Sequence, residues 1–195
     1  MLVEFSVANY RSFQTLSMVA GPTKGRSTQH SFKTGIKDVS NLLRSSVIYG
    51  PNAAGKSNFI EAMNFFRGFI IDSAKESQEG EKINSVPFKL TKKSAQSPSE
   101  FEAIFIENGN RYQYGFSVDQ ERVYQEWLFC VPKEGRTQKW FERSYDKKSE
   151  EYEWYINPSL KGLRKVWMKS TRDNALFLST AIQLKSESLH EPFIW

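Results

Sequence analysis

The chain has little from which to build a metal cage or a covalent framework. Among 195 residues there is one cysteine, Cys130, and two histidines, His30 and His190, far apart in sequence. A lone cysteine excludes a disulfide framework and a cysteine-built zinc cage. Two distant histidines argue against a histidine-rich metal site. No apolar run approaches the ~18 residues that a membrane span requires. The opening MLVEFSVANYRSF carries charge too early, and alternates too regularly, for a signal peptide. A cytoplasmic protein without a membrane partner is expected. Neither charge sign dominates: 27 basic and 22 acidic residues leave a net +5, which favours an anionic partner without making a polycation. Low-complexity tracts and internal repeats are absent. What the chain does have is packing capacity, with 39% hydrophobic and 14% aromatic residues. That suffices for a core of one domain or slightly more.

Val3, Phe5 and Val7 alternate with Glu4 and Ser6, which is a strand pattern. A second alternating stretch carries Leu16, Met18 and Ala20 and stops at Gly21-Pro22. Residues 22–41 are polar and basic without a period and read as a loop. Ser45 to Tyr49 reads as a short buried strand running into Gly50-Pro51. The period then changes. Phe59, Ile60, Met63, Phe66, Phe69 and Ile70 recur at helical spacing from Lys56 to about Ile71. Residues 72–98, rich in Ser, Lys, Glu and Gln, read as a mobile surface segment. Phe101, Ala103 and Phe105 alternate up to Asn108-Gly109, a hairpin signal because both central residues of a type I′ turn need positive φ. Strands over 110–118, 122–131 and 138–142, with one more over 151–156, complete an antiparallel meander. A basic stretch, Lys161 to Arg172, and an apolar run, Ala175 to Ile182, close the chain.

Gly50-Pro51-Asn52-Ala53-Ala54-Gly55-Lys56-Ser57 satisfies the phosphate-loop pattern G-x-x-x-x-G-K-S/T at every fixed position. A strand before it and a strongly periodic helix after it are the context that the pattern requires. The glycines let backbone curl around phosphate oxygens without a Cβ in the way. Free N–H groups and the positive end of the helix dipole face the anion. Lys56 is placed to reach the β- and γ-phosphates, and the Ser57 hydroxyl to take one position around Mg²⁺. ATP with Mg²⁺ is the expected ligand. A GTPase is excluded by the missing Asp-x-x-Gly and Asn-Lys-x-Asp. A small-molecule kinase would need an arginine-rich lid where this chain supplies a β-meander.

Two stretches together resemble a known family. Phe5-Ser-Val-Ala-Asn9-Tyr10-Arg11-Ser12-Phe13, followed by the loop and Asn58, is similar to the ATP-binding-cassette heads of the RecF and SMC type. The resemblance is closest to AAA-annotated prokaryotic ATPases of abortive-infection and other anti-phage systems, in which Pro-Asn-Ala in the loop is common. Val86-Pro87-Phe88-Lys89-Leu90, Glu100-Phe101-Glu102 and Tyr112-x-Tyr114-Gly115-Phe116 also look like this branch. The resemblance implies an α/β phosphate-loop NTPase fold, the first lobe of an ABC/SMC-like head, with an antiparallel β-meander subdomain. It implies that Arg11 and Ser12 lie close to bound nucleotide. It also implies that Asn174 to Gln183 is a strand leading into a Q-loop, where Gln183 reaches Mg²⁺ and the attacking water.

Hydrolysis in such a head needs an acidic residue ending an apolar strand, a following Glu, and a Ser-Gly-rich signature from the opposite subunit. None is present. Phe69-Ile70-Ile71-Asp72 and Leu178-Ser179-Thr180-Ala181 only imitate them. The expected organisation is therefore an ATP-binding core over 1–72, a linker over 73–98, a β-lobe over 99–158 and a basic, Q-loop region over 159–195, belonging to a longer ATPase. The resemblance further implies head-to-head dimers or higher oligomers and control of an effector such as a nuclease or toxin. The alternative is a DNA-repair ATPase of the RecF class acting directly on DNA. Lys161, Arg164, Lys165, Lys169 and Arg172, clustered around Trp167, are the candidate nucleic-acid contacts, although a solvated face also accounts for them. Cys130, among Trp127, Leu128, Phe129 and Val131, reads as core.

Overall fold

The computed structural model describes residues 1–11, 15–21, 27–36, 38–52, 54–75, 78–88 and 97–195. Alternation in the sequence becomes one seven-stranded antiparallel sheet. Its strands are β1 (Leu2–Ala8), β2 (Thr15–Ser17), β5 (Ser99–Glu107), β6 (Asn110–Val118), β7 (Val123–Val131), β8 (Gln138–Asp146) and β9 (Glu151–Ile156). The order across the sheet is β2-β1-β5-β6-β7-β8-β9. Strands β5 to β9 are the expected meander, and Asn108 and Gly109 link β5 to β6 with φ of 47° and 80°, the positive values that a tight primed turn demands. Because β1 pairs with β5, the opening strand and the meander share a single sheet.

One long helix, α2 (Lys56–Asp72), lies on this sheet and buries Phe59, Ala62 and Phe66. Its aromatic stripe meets the aromatic face of the strands. Phe66 stacks on Phe116 at 5.3 Å and packs edge-on against Phe5 at 5.4 Å, while Phe65 stacks on Tyr10 at 5.7 Å. Rings at these separations add directional attraction to the area they remove from water. The imitation acidic motif, Phe69 to Asp72, is the last turn of this helix.

Three sequence expectations fail. Residues 22–41 are not simply a loop: after α1 (Ser27–His30), β3 (Ser31–Ile36) and β4 (Val39–Leu43) form an antiparallel hairpin. Its buried apolar positions are few, namely Ile36, Val39 and Leu42, which join Val3 and Ile106 in a second, smaller core. So sparse a set gives no readable period. Ser45 to Tyr49 is not a buried strand. It is irregular, with Val47 81% and Tyr49 89% exposed. A buried strand must be paired along its edges and covered on both faces, and no described strand pairs with it. Finally, the run from Asn174 to Gln183 is not a strand: Phe177–Gln183 form a helix, α4. A short apolar run cannot be told from a buried helix by periodicity alone. The remaining helices are α3 (Arg164–Ser170) and α5 (His190–Ile194).

Part of the segment expected to be a linker is packed. Ala74 and Ile83 are buried, and Pro87 bridges to Tyr10. Its residues 76–77 and 89–96 lie outside the described set. Among the described residues no helix is long and apolar enough to cross a membrane.

Candidate functional site

The phosphate loop caps α2. Gly55 immediately precedes the helix with φ 89°, a left-handed conformation that glycine adopts without the Cβ penalty. Gly55, at the cap position, has no side chain with which to cap this helix end, and a helix N-terminus of this kind suits an anion. The curl is tight: Ala54 N donates to Pro51 O at 3.3 Å, and a Cβ on Gly50 would stand 3.3 Å from that of Ala54. Lys56 folds back along the loop. Its Nζ donates to the carbonyl oxygens of Gly50 and Pro51, both at 2.7 Å. The ammonium is thereby held at the mouth of the curl by neutral acceptors, which an anionic phosphate outcompetes as a partner. Ser57 is exposed, Asn58 is half-buried, and Pro51, Asn52 and Ala54 are exposed. Ala53 and Ser12 lie outside the described residues.

Arg11 lies against the same helix. Its Nη2 pairs with Glu61 Oε2 at 2.6 Å. Glu61 follows Ser57 by four residues, so the two share one helix face a turn apart. Sequence reasoning did not single out Glu61, since an acidic residue on a solvated helix face has no distinguishing pattern.

Gln183 is not brought to the loop. It is exposed at the end of α4. That helix docks through Ser179, whose hydroxyl donates to Ile70 O. Ile70 lies fourteen residues beyond Lys56, roughly 21 Å along the helix axis. The imitation signature, Leu178 to Ala181, is buried within α4. The geometry of α4 is set by a buried pair that the sequence did not announce. Glu126 and Arg143 are both fully buried, with Arg143 Nε at 3.1 Å from Glu126 Oε2. The carboxylate also accepts from Phe177 N at 2.6 Å, Leu178 N at 2.9 Å and Tyr114 Oη at 3.0 Å. A strand residue thus satisfies the free amides that open α4.

The basic stretch divides in two. Arg164 donates to Asn157 O, and Arg172 donates to the carbonyl oxygens of Ser73 and Ala74, so both hold structure together. Lys161, Lys165 and Lys169 remain exposed. A groove of about 800 Å³ runs beside α2, lined by Leu2, Met63, Ile70, Phe193 and Trp195 among others. It is mainly apolar, and no described residue of the phosphate loop lines it.

The donor set at the loop fits a triphosphate better than it fits a free metal. Among the described residues no cluster of three or more His, Cys, Asp or Glu is placed to hold a metal ion. Magnesium at Ser57 would therefore rest largely on phosphate oxygens and water.

A curled glycine loop on a helix N-terminus, with a lysine across its mouth, accords with a family model that matches the chain. Its description reads "AAA domain, putative AbiEii toxin, Type IV TA system", and it covers residues 45–190. The chain belongs to this family. It is a phosphate-loop ATPase domain of the AAA type, tied by its family to abortive-infection toxin–antitoxin systems. Comparison with curated proteins and with solved structures returned no match. The matched region starts five residues ahead of the loop, and so includes the phosphate-loop motif together with the meander and α4.

Proposed function

We propose that the chain binds Mg²⁺-ATP at Gly50 to Asn58 and serves as the first lobe of an ABC/SMC-like head. In this reading the full protein pairs head to head in the cytoplasm, hydrolyses ATP, and controls an anti-phage effector such as a nuclease or toxin. The observation that carries nucleotide binding is the Lys56 ammonium poised on the carbonyl oxygens of Gly50 and Pro51, at a helix N-terminus that opens on a left-handed glycine. Magnesium, held at the Ser57 hydroxyl, would supply neutralisation of the triphosphate's charge. The chain's own part is to wrap the tail with loop amides, hold it with Lys56 and offer the Ser57 hydroxyl.

Calorimetric titration of Mg²⁺-ATP into wild type and Lys56→Ala tests this. Loss of one charge-assisted contact, about 2 kcal/mol, weakens binding roughly thirtyfold. Equal affinity for the two proteins rejects the site. A second reading, a repair ATPase acting on DNA, draws on the exposed Lys161, Lys165 and Lys169. It requires duplex binding that weakens steeply with salt and that falls when these three lysines become glutamine.

A further inference from the structure

The turn that follows β1 is held from several sides. Asn9 and Arg11 both take left-handed backbone conformations, with φ of 54° and 49°, which residues bearing a Cβ seldom adopt. Asn9 Nδ2 donates to the carbonyl oxygens of Ser97 and Pro98, at 2.6 and 3.2 Å. Its own carbonyl accepts from Ser99 Oγ at 2.8 Å and from Phe88 N at 3.2 Å. Between these two residues Tyr10 is buried, stacked on Phe65 and edge-on to Phe101. An uncommon conformation held by so many contacts fixes where the next side chain goes. It sends Arg11 to α2.

There the guanidinium meets Glu61, but the pair is not a buried structural bond. The two side chains are 35% and 46% exposed, and an ion pair so hydrated is weak and exchangeable. Among the described residues, Arg11 Nε is buried without a hydrogen-bond acceptor, so Glu61 leaves part of the fork unused. Glu61 lies one turn below Ser57 on the same helix face, with Cβ atoms about 6 Å apart. A long arginine side chain covers that distance by rotating its χ angles, with no backbone movement.

We propose that the Arg11–Glu61 pair is a latch opened by the nucleotide: Arg11 leaves Glu61 for the phosphate tail of a nucleoside triphosphate at the loop. Glu61 is then a positioning residue that parks the arginine and competes with phosphate for it. This rests on the nucleotide-binding reading above and adds to it a charge-sensing step. The acceptor that wins is the one carrying more negative charge and able to take both arms of the guanidinium.

The test is a mutant cycle on Mg²⁺-ATP affinity, read by calorimetry in wild type, Arg11→Gln, Glu61→Gln and the double variant, with Lys56→Ala as reference. Arg11→Gln weakens binding about tenfold. Glu61→Gln, which frees the arginine beforehand, tightens it by roughly threefold or more, and that gain shrinks severalfold when Arg11 is already absent. Equal gain in both backgrounds means that Glu61 acts only through its field, and overturns the latch. So does no gain, or a loss, on Glu61→Gln. Thermal midpoints confirm that each variant is folded. A wild type that binds no Mg²⁺-ATP, or binds it as well with Lys56→Ala, rejects the nucleotide site itself. Binding that depends on Lys56 without Arg11–Glu61 coupling rejects only the latch.

Discussion

Glu126→Gln keeps shape and removes one charge from the interior. In the native fold the carboxylate accepts from three donors, Phe177 N, Leu178 N and Tyr114 Oη, and is ion-paired with the Arg143 guanidinium. An amide has one acceptor oxygen, so its NH₂ must point at N–H or O–H groups that it cannot satisfy. Arg143, fully buried, loses its counter-charge and, among the described residues, is left with the carbonyl of Ala175 and the rings of Tyr152 and Trp154. Removing one partner of a buried pair costs about 3 to 5 kcal/mol, a large share of the ~5 to 15 kcal/mol that holds a domain together. With a slope of about 2 kcal/mol per molar urea for a chain of this size, the midpoint falls by roughly 1.5 M or more. Tyr114→Phe, which deletes one neutral donor, costs only about 1 kcal/mol. Equilibrium unfolding in urea, followed by tryptophan fluorescence, measures all of these. The double variant Glu126→Gln/Arg143→Met must lose less than the two single losses added. A midpoint shift for Glu126→Gln no larger than that of Tyr114→Phe, or strict additivity, refutes the reasoning.

Other perturbations have equally definite outcomes. At Gly115 a Cβ would strike the Trp127 ring and come within 2.7 Å of the Phe101 carbonyl oxygen. Gly115→Ala therefore splays β5 from β6 and costs about 3 kcal/mol or more, measured as a lowered thermal midpoint. Burial pushes the Cys130 thiol up from 9.0 to about 11. At pH 8 it resists a disulfide reagent until the protein unfolds, since only the thiolate attacks. Because the folded value is the higher one, this contribution to stability is whole below pH 9 and is lost as pH rises from 9 through 11. A thiol that reacts fully in the native state at pH 8 contradicts this.

The meander was legible because its signal is local. Phe101, Ala103 and Phe105 alternate within one strand, and Asn108-Gly109 dictates its own turn. The helix after the loop was legible for the same reason, its aromatic stripe repeating with the helical period from Phe59 to Ile70. The phosphate loop was legible because its chemistry resides in residue types at fixed spacing, with glycine where a Cβ intrudes and lysine where charge is needed. Sequence by itself determined these.

Only the tertiary structure decided the rest, because it depends on which distant segments meet. Val47 to Tyr49 has the composition of a buried strand, yet a strand exists only through a partner, and no described one pairs with it. Ala175 to Ile182 fits strand or helix equally by composition. Glu126, some fifty residues earlier, selects the helix by accepting from its first amides. That choice carries Gln183 away from the loop, while the pinned turn after β1 carries Arg11 to Glu61. A carboxylate on a strand and one on a helix face look alike in a sequence; burial and the nearest cation separate them, and both are properties of the folded chain.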